Sequence, residues 1–209
     1  MSEAVAKRGP GRPPGADGAE TRLKILHSAR QVFSTIGFDR ASLKQIAEDA
    51  GFTRNAIANY YPSKVALYRA ALASVHDVVA GQILDPARRQ IGPIDRQVLA
   101  VFDLAVATIR IDQTFVRFFV TSTGDAIHHP DLQEQAMQPI SLVREYFGEL
   151  LAGARRDGEI DTATDTEATT QLLVDLLWGL AVDAGFYSDE HRIRRTLAAL
   201  DRIVAAALT

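Results

Sequence analysis

Residues 42–64 read SLKQIAEDAGFTRNAIANYYPSK, and that stretch decides the fold. Ser42 followed three residues later by Gln45 is a capping box, which opens a short helix with Leu43, Ile46, Ala47 and Ala50 on its apolar side. Gly51 then makes the turn. Thr53 can cap the amides of a second helix, and Phe52 and Ile57 stand at the two positions of a hydrophobic staple, which fixes how the chain enters that helix. The second helix lasts only to about Tyr61, because Pro62 disfavours helical geometry at the residue before it; Ser63 starts a longer helix that runs to about Leu84. Two short helices joined by a glycine leave one face of the second, Arg54, Asn55, Ala58 and Asn59, without a role in the core.

Upstream, Ile25, Leu26, Ala29, Val32, Phe33 and Ile36 form one helical stripe that ends at Gly37, a natural left-handed stop. Residues 1–20 lack apolar periodicity and are rich in Gly, Pro, Ala and charge, so the reading is a disordered basic arm. Downstream, apolar residues recur at spacings of three and four with no sustained alternation. The expected class is therefore all-α, with about nine helices and breaks at Gly37, Gly51, Pro62, Pro86 to Pro93, Gly124 to Pro130, Asp157 to Thr164 and around Ser188. The expected organisation is the arm (1–20), a three-helix helix-turn-helix unit (21–68) and a larger helical body (69–209).

At 209 residues, 47% hydrophobic and 23% charged, the chain can bury a core. It has no cysteine, which removes disulfides, thiolate metal sites and a cysteine nucleophile. No run of apolar residues is long enough to cross a bilayer, and the N-terminus lacks a signal-peptide core, so the expectation is a cytoplasmic, nucleoid-associated protein with no membrane partner. The net charge of −3 is unevenly placed. Residues 1–70 carry eleven Lys/Arg against six Asp/Glu, a balance of +5, and residues 71–209 carry twelve against twenty, a balance of −8. A basic head on an acidic body points to a polyanion at one end only.

An α-helix fits the major groove of B-DNA, where asparagine can pair with adenine and arginine with guanine. Arg54 and Asn59 are the candidate readers. Ser42, Lys44, Thr53, Tyr60 and Lys64 are candidate phosphate donors that would orient the unit without reading sequence. The stretch from Ala29 to Leu72, ARQVFSTIGFDRASLKQIAEDAGFTRNAIANYYPSKVALYRAAL, resembles the N-terminal domain of tetracycline-repressor (TetR) family regulators in several spaced features. These are VFSTIGF, IAEDAGFTRNAI, the aromatic-aromatic-proline at residues 60–62, then SK and ALY. The resemblance implies that Thr53, Arg54, Asn55, Asn59 and Tyr60 face an operator in double-stranded DNA and that Lys64 touches a phosphate. Two positions depart from the pattern. Ala58 replaces a tyrosine common in the family and can instead meet a thymine methyl. Val65 replaces an acidic residue at a helix start, a loss of about 0.3–1 kcal/mol that leaves the assignment standing.

The arm contains KRGPGRPP at residues 7–14, similar to the core of an AT-hook, whose arginine, here Arg12, enters a narrow minor groove.

In the body, Phe102, Phe118 and Trp178 are the candidate lining of an effector cavity of the kind the family resemblance implies. The last two helices, around QLLVDLLWGLAVDAGF and RTLAALDRIVAAAL, hold more leucine than one buried stripe needs. Leu173, Leu176, Leu177, Leu180, Ala184, Leu200 and Ile203 are the candidate homodimer interface, which the resemblance describes as a four-helix bundle matched to a palindromic operator. His128 and His129, beside Asp125 and Asp131, form the one cluster with metal or acid-base potential, and adjacent histidines in a turn are usually solvated, so neither a metal nor a cofactor is expected. No phosphate-cradling loop or nucleophile elbow appears, so no enzyme is expected. The reading is a homodimeric repressor released by a small apolar or amphipathic effector. A ligand-independent or broadly DNA-binding nucleoid-type protein is the alternative, and an all-helical enzyme or ligand carrier ranks below it.

Overall fold

The computed structural model describes residues 16–187 and 189–208. The described residues form helices and no strand: α1 (Ala16–Arg40), α2 (Leu43–Ala50), α3 (Arg54–Ala58), α4 (Lys64–Val78), α5 (Asp85–Arg88), α6 (Ile94–Ile111), α7 (Gln113–His128), α8 (Pro130–Asp157), α9 (Thr166–Phe186) and α10 (Glu190–Leu208). A π-helical turn, Val79–Leu84, joins α4 to α5 without a break. One rod therefore runs from Lys64 to Arg88, and the described residues contain nine separate helical rods, as the periodicity predicts.

Several boundaries move. Helix α1 begins at Ala16, so residues 16–20 belong to a helix and not to the arm. The rod carries Pro86 in the first turn of α5, where the missing proline amide costs no hydrogen bond, so it runs on past Leu84 to Arg88 and the predicted break narrows to residues 89–93. Gly124 lies inside α7. A break that the periodicity did not show falls at Asp112, whose carboxylate accepts from the Thr114 amide at 2.9 Å and starts α7 there.

The small unit forms as its sequence dictates. Gly37, at φ 78° and ψ 166°, holds a backbone conformation open only to glycine and bends α1 before Phe38. The Ser42 hydroxyl caps the helix by accepting from the Gln45 amide, and it donates to the Gln45 side-chain carbonyl at 2.8 Å, so the predicted pair meets through the hydroxyl and not through the Ser42 backbone amide of a capping box. Gly51 is left-handed, and the Phe52 amide reaches back to the Ala47 carbonyl at 2.8 Å. Ile25, Phe33, Ile46, Ile57 and Tyr68 are completely buried.

That core does not stop at the edge of the unit. The rings of Phe33 and Phe38 pack edge-on to Tyr68, each at 4.8 Å, and Phe118 of α7 closes on Tyr68 at 5.2 Å. Phe118 is thus a plug between the two parts. Beyond it, α6, α7 and α8 pack around the rod, α9 packs on α7 and α8, and α10 lies mainly along α6.

Candidate functional site

The exposed face of α3 carries Arg54, Asn55, Ala58 and Asn59, while Ile57 between them is completely buried. One residue anchors the helix, and the remaining turn points away from the core. Thr53 caps it, its hydroxyl accepting from the Ala56 amide at 3.1 Å. Asn59 ends the helix in α geometry, with its amide bonded to Asn55 and its side chain exposed. Arg54, Asn55 and Asn59 thus present free donors and acceptors on one convex edge, the chemistry that base-pair edges require.

The flanking cations divide into two kinds. Lys44 is exposed on α2, and its 3.7 Å approach to Glu48 is a solvated pair that a phosphate can displace. Lys64 is held differently. Its ammonium donates to the carbonyls of Phe38 and Asp39, at 2.8 and 3.0 Å, and sits 4.4 Å from the Phe38 ring. Two of its three N–H groups thus close the end of α1, a structural role beside the phosphate contact expected of it. Ser42 is likewise occupied by its own cap. Tyr60 is half-buried, with the Arg22 guanidinium 5.8 Å from its ring centre. Burial raises the neighbouring Tyr61 hydroxyl above its usual range, opposed by the same Arg22. Arg22 is therefore a cation at the edge of the reading face, one that helical spacing within residues 42–64 did not reveal. Arg12 lies outside the described residues.

The small unit is strapped to the body by a polar cluster. Arg30 of α1, whose side chain is 11% exposed, donates to Asp112 at 2.5 Å, to Ser74 at 3.0 Å and to Thr114 at 3.3 Å. Burial opposes the charged form of Asp112, but the Thr114 hydroxyl, Arg30 and His27 together outweigh it and hold the carboxyl below the ordinary range. A second strap centres on Asp125, which accepts from the Tyr68 hydroxyl at 2.9 Å and from the Phe38 amide at 3.3 Å. Burial, and then this carboxylate, push the Tyr68 hydroxyl far above its usual range. His129 packs edge-on to Phe38 and lies 3.0 Å from Asp39, and Asp131 pairs with Arg69. The histidine-rich segment is thus engaged in joining α1 and α4 to α7 and α8, and no group suited to a metal ion occurs among the described residues.

The body contains a void of about 50 Å³ that is partly open to the surface, since Phe119, Ile140, Leu177, Trp178 and Ala181 in its wall are only half-buried. Its wall comes from the π-helical turn (Val79, Ile83) and from α6, α7, α8 and α9, with Phe115, Phe119 and Trp178 as its aromatic members. Trp178 is the expected lining residue that is found there. Phe102 stacks on Phe147 at 6.1 Å and Phe118 plugs the junction, so both are packing residues and neither lines the void. Phe115 and Phe119 take the places assigned to them; their sequence signal was the i, i+4 aromatic pair at the start of α7.

The candidate interface residues also separate. Leu173, Leu180, Ala184 and Leu200 are buried within the chain, and Leu177 lines the void. They belong to the subunit core. What stands exposed is Leu172 (55%) and Leu176 (40%) one turn apart on α9, and Ile203 (60%) on α10. Helix α9 is apolar on nearly every side because it serves the core, the void and an outer face at once.

Residues 25–71 match the family described as "Bacterial regulatory proteins, tetR family". The head belongs to the TetR family. Over 54 residues the chain is 44% identical to the HTH-type transcriptional regulator RutR of Escherichia coli (strain K12), a match covering 26% of each protein. Over 163 residues it is 24% identical to the HTH-type transcriptional regulator UidR of the same strain, covering 78% of this chain and 81% of that one. A TetR transcriptional regulator from Chloroflexus aurantiacus shares the fold at a TM-score of 0.76 and 17% identity, over 92% of this chain and 98% of that one. Inside the TetR-type architecture α3 is the second helix of the helix-turn-helix, and the chain is similar to DNA-binding transcriptional regulators both in this head and along most of its length. No helix among the described residues is long and apolar enough to cross a membrane.

Proposed function

We propose that the chain is a homodimeric repressor that reads a palindromic operator through α3 and leaves it when a small molecule enters the body. One observation carries this reading: Ile57 pins α3 to the core while Arg54, Asn55 and Asn59 stand free on its outer edge. Asn59 and Arg54 read base edges; Thr53, Asn55, Tyr60, Lys44 and the edge cation Arg22 contact the backbone around them. Ala58 leaves room for a thymine methyl.

Dimerisation is supported by Leu172, Leu176 and Ile203, which a monomer would leave in water. A two-fold pair of heads then matches half-sites about one helical turn, roughly 34 Å, apart. The void supports effector sensing, and its wall belongs partly to the rod that begins at Lys64 beside α3, so a ligand there acts on the element that carries the heads. The arm around Arg12 adds a minor-groove contact, and the protein works in the cytoplasm on the nucleoid.

The test is an electrophoretic shift with DNA from upstream of the chain's own gene. A preference on the order of 10³ over unrelated DNA is expected. Replacing Asn59 with Ala should weaken the specific complex by about 5- to 150-fold, the equivalent of about 1–3 kcal/mol, and leave the unspecific one unchanged. Equal affinity for both DNAs would instead favour a general nucleoid protein.

A further inference from the structure

The void in the body also has a chemistry, and this inference rests on reading the body as a sensor. We infer that the effector is a compact, uncharged, hydrocarbon-like molecule, and that it enters past Phe115.

Every residue of the wall is apolar, from Val79 and Ile83 through Ile109 and Phe119 to Pro139. The Trp178 indole N–H is the single polar side-chain atom those residues possess, and it can only donate. A carboxylate or an ammonium brought inside would lose its hydration and meet no opposite charge. A hydrocarbon loses nothing of the kind, and it covers apolar wall that water would otherwise meet. At about 50 Å³ the void is smaller than a ring, so it must widen to take one. Two parts of its wall are loosened helix: the π-helical turn, and α8 at Pro139, which cannot donate a backbone hydrogen bond.

The entrance repeats the selection. Between α1, α4 and the α6–α7 corner lies a groove of about 440 Å³, and Phe115 is a wall of both groove and void. The charged side chains of the groove are Arg30, Asp77 and Asp112. Arg30 is already engaged by Asp112, Ser74 and Thr114, so an arriving anion finds a net negative approach with no free guanidinium. Phe115 follows Asp112 and Thr114, the residues that hold Arg30, so displacing its ring disturbs the strap between the head and the body.

The chain has one tryptophan, and it stands in this wall, so its emission reports on the void. The full-length protein at neutral pH is titrated with three matched probes: ethylbenzene, phenylacetate and benzylammonium. Ethylbenzene should change the Trp178 emission saturably and bind at least tenfold more tightly than either ion. Ala105→Leu, which fills the void, should weaken ethylbenzene at least tenfold; if that variant does not fold, Ala181→Val gives the same comparison. Phe115→Ala should speed the approach to equilibrium. An ion that binds as well as ethylbenzene overturns the uncharged class and leaves the body a sensor. If none of the probes binds either the wild type or Phe115→Ala, the inference and the sensing role fall together.

Discussion

The head and the body are both helical and share one continuous apolar core, yet they are built to opposite standards. In the head each turn is locked by a short-range device: a glycine-only bend at Gly37, a serine cap at Ser42, a left-handed Gly51, a threonine-capped α3. In the body the helices that surround the void carry a π-helical turn and an internal proline, and they leave a void unfilled. A surface that must match a groove to within an ångström needs the first kind of construction. A chamber that must change shape needs the second, at a small cost in packing.

The largest effect that would break this comparison lies on the outer faces of α9 and α10. Leu176→Glu combined with Ile203→Glu should leave the head folded but convert the protein to a monomer in sedimentation. Operator affinity should then fall by about 100-fold or more, because two tethered heads exceed one by avidity of that order. A monomer with undiminished affinity would show that each rigid head suffices alone.

Next comes the strap between the parts. Arg30→Ala leaves Asp112 partly buried without its guanidinium and should lower stability by about 2–3 kcal/mol in urea unfolding, less than a fully buried pair would lose because Asp112 keeps some contact with water. A change below about 0.5 kcal/mol would mean that the rings of Phe33, Tyr68 and Phe118 alone join head to body.

A smaller effect concerns the arm. Removing residues 1–15, and with them Lys7, Arg8 and Arg12, should weaken operator binding and reduce the slope of log affinity against log salt by up to about 2.7, three phosphate contacts at about 0.9 each. Unchanged affinity at two salt concentrations would assign all DNA contact to the folded head.

The smallest effect is an acid one. The Asp112 carboxyl is held below its ordinary value of 3.8, so as pH falls the unfolded chain takes up that proton first. Its contribution is complete above that value and lost as pH falls through the lower, folded one. The stability gap between wild type and Asp112→Asn should therefore be full at about pH 7 and shrink toward about pH 2. A gap constant with pH would contradict the pairing with Arg30.

How far the sequence could be read follows the same division. Ser42, Gly51, Thr53 and Ile57 announce their roles because caps, turns and staples depend on residues within four positions of one another. The exposure of Arg54, Asn55 and Asn59 follows from the same local rules. The structural role of Lys64 was hidden since its partners, the carbonyls of Phe38 and Asp39, lie at the end of another helix. The body was legible only as helices. Leu172 and Leu173 are adjacent in sequence, and one is exposed while the other is buried, a distinction set by which neighbours α9 meets. Phe118 and Phe119 divide in the same way, one to the junction and one to the void. Asp112 is an exception in the other direction, since aspartate is an ordinary N-cap residue whose signal the long apolar run around it concealed.

The central claim is that the outer edge of α3 reads DNA sequence. The most direct measurement is to let the purified protein, and its Asn59→Ala variant, select fragments from its own genome. The account predicts that the wild type enriches a few fragments sharing an inverted repeat with half-sites about one helical turn apart, and that the variant loses that enrichment while still binding DNA weakly. Identical enrichment by both proteins, or none by either, would contradict it.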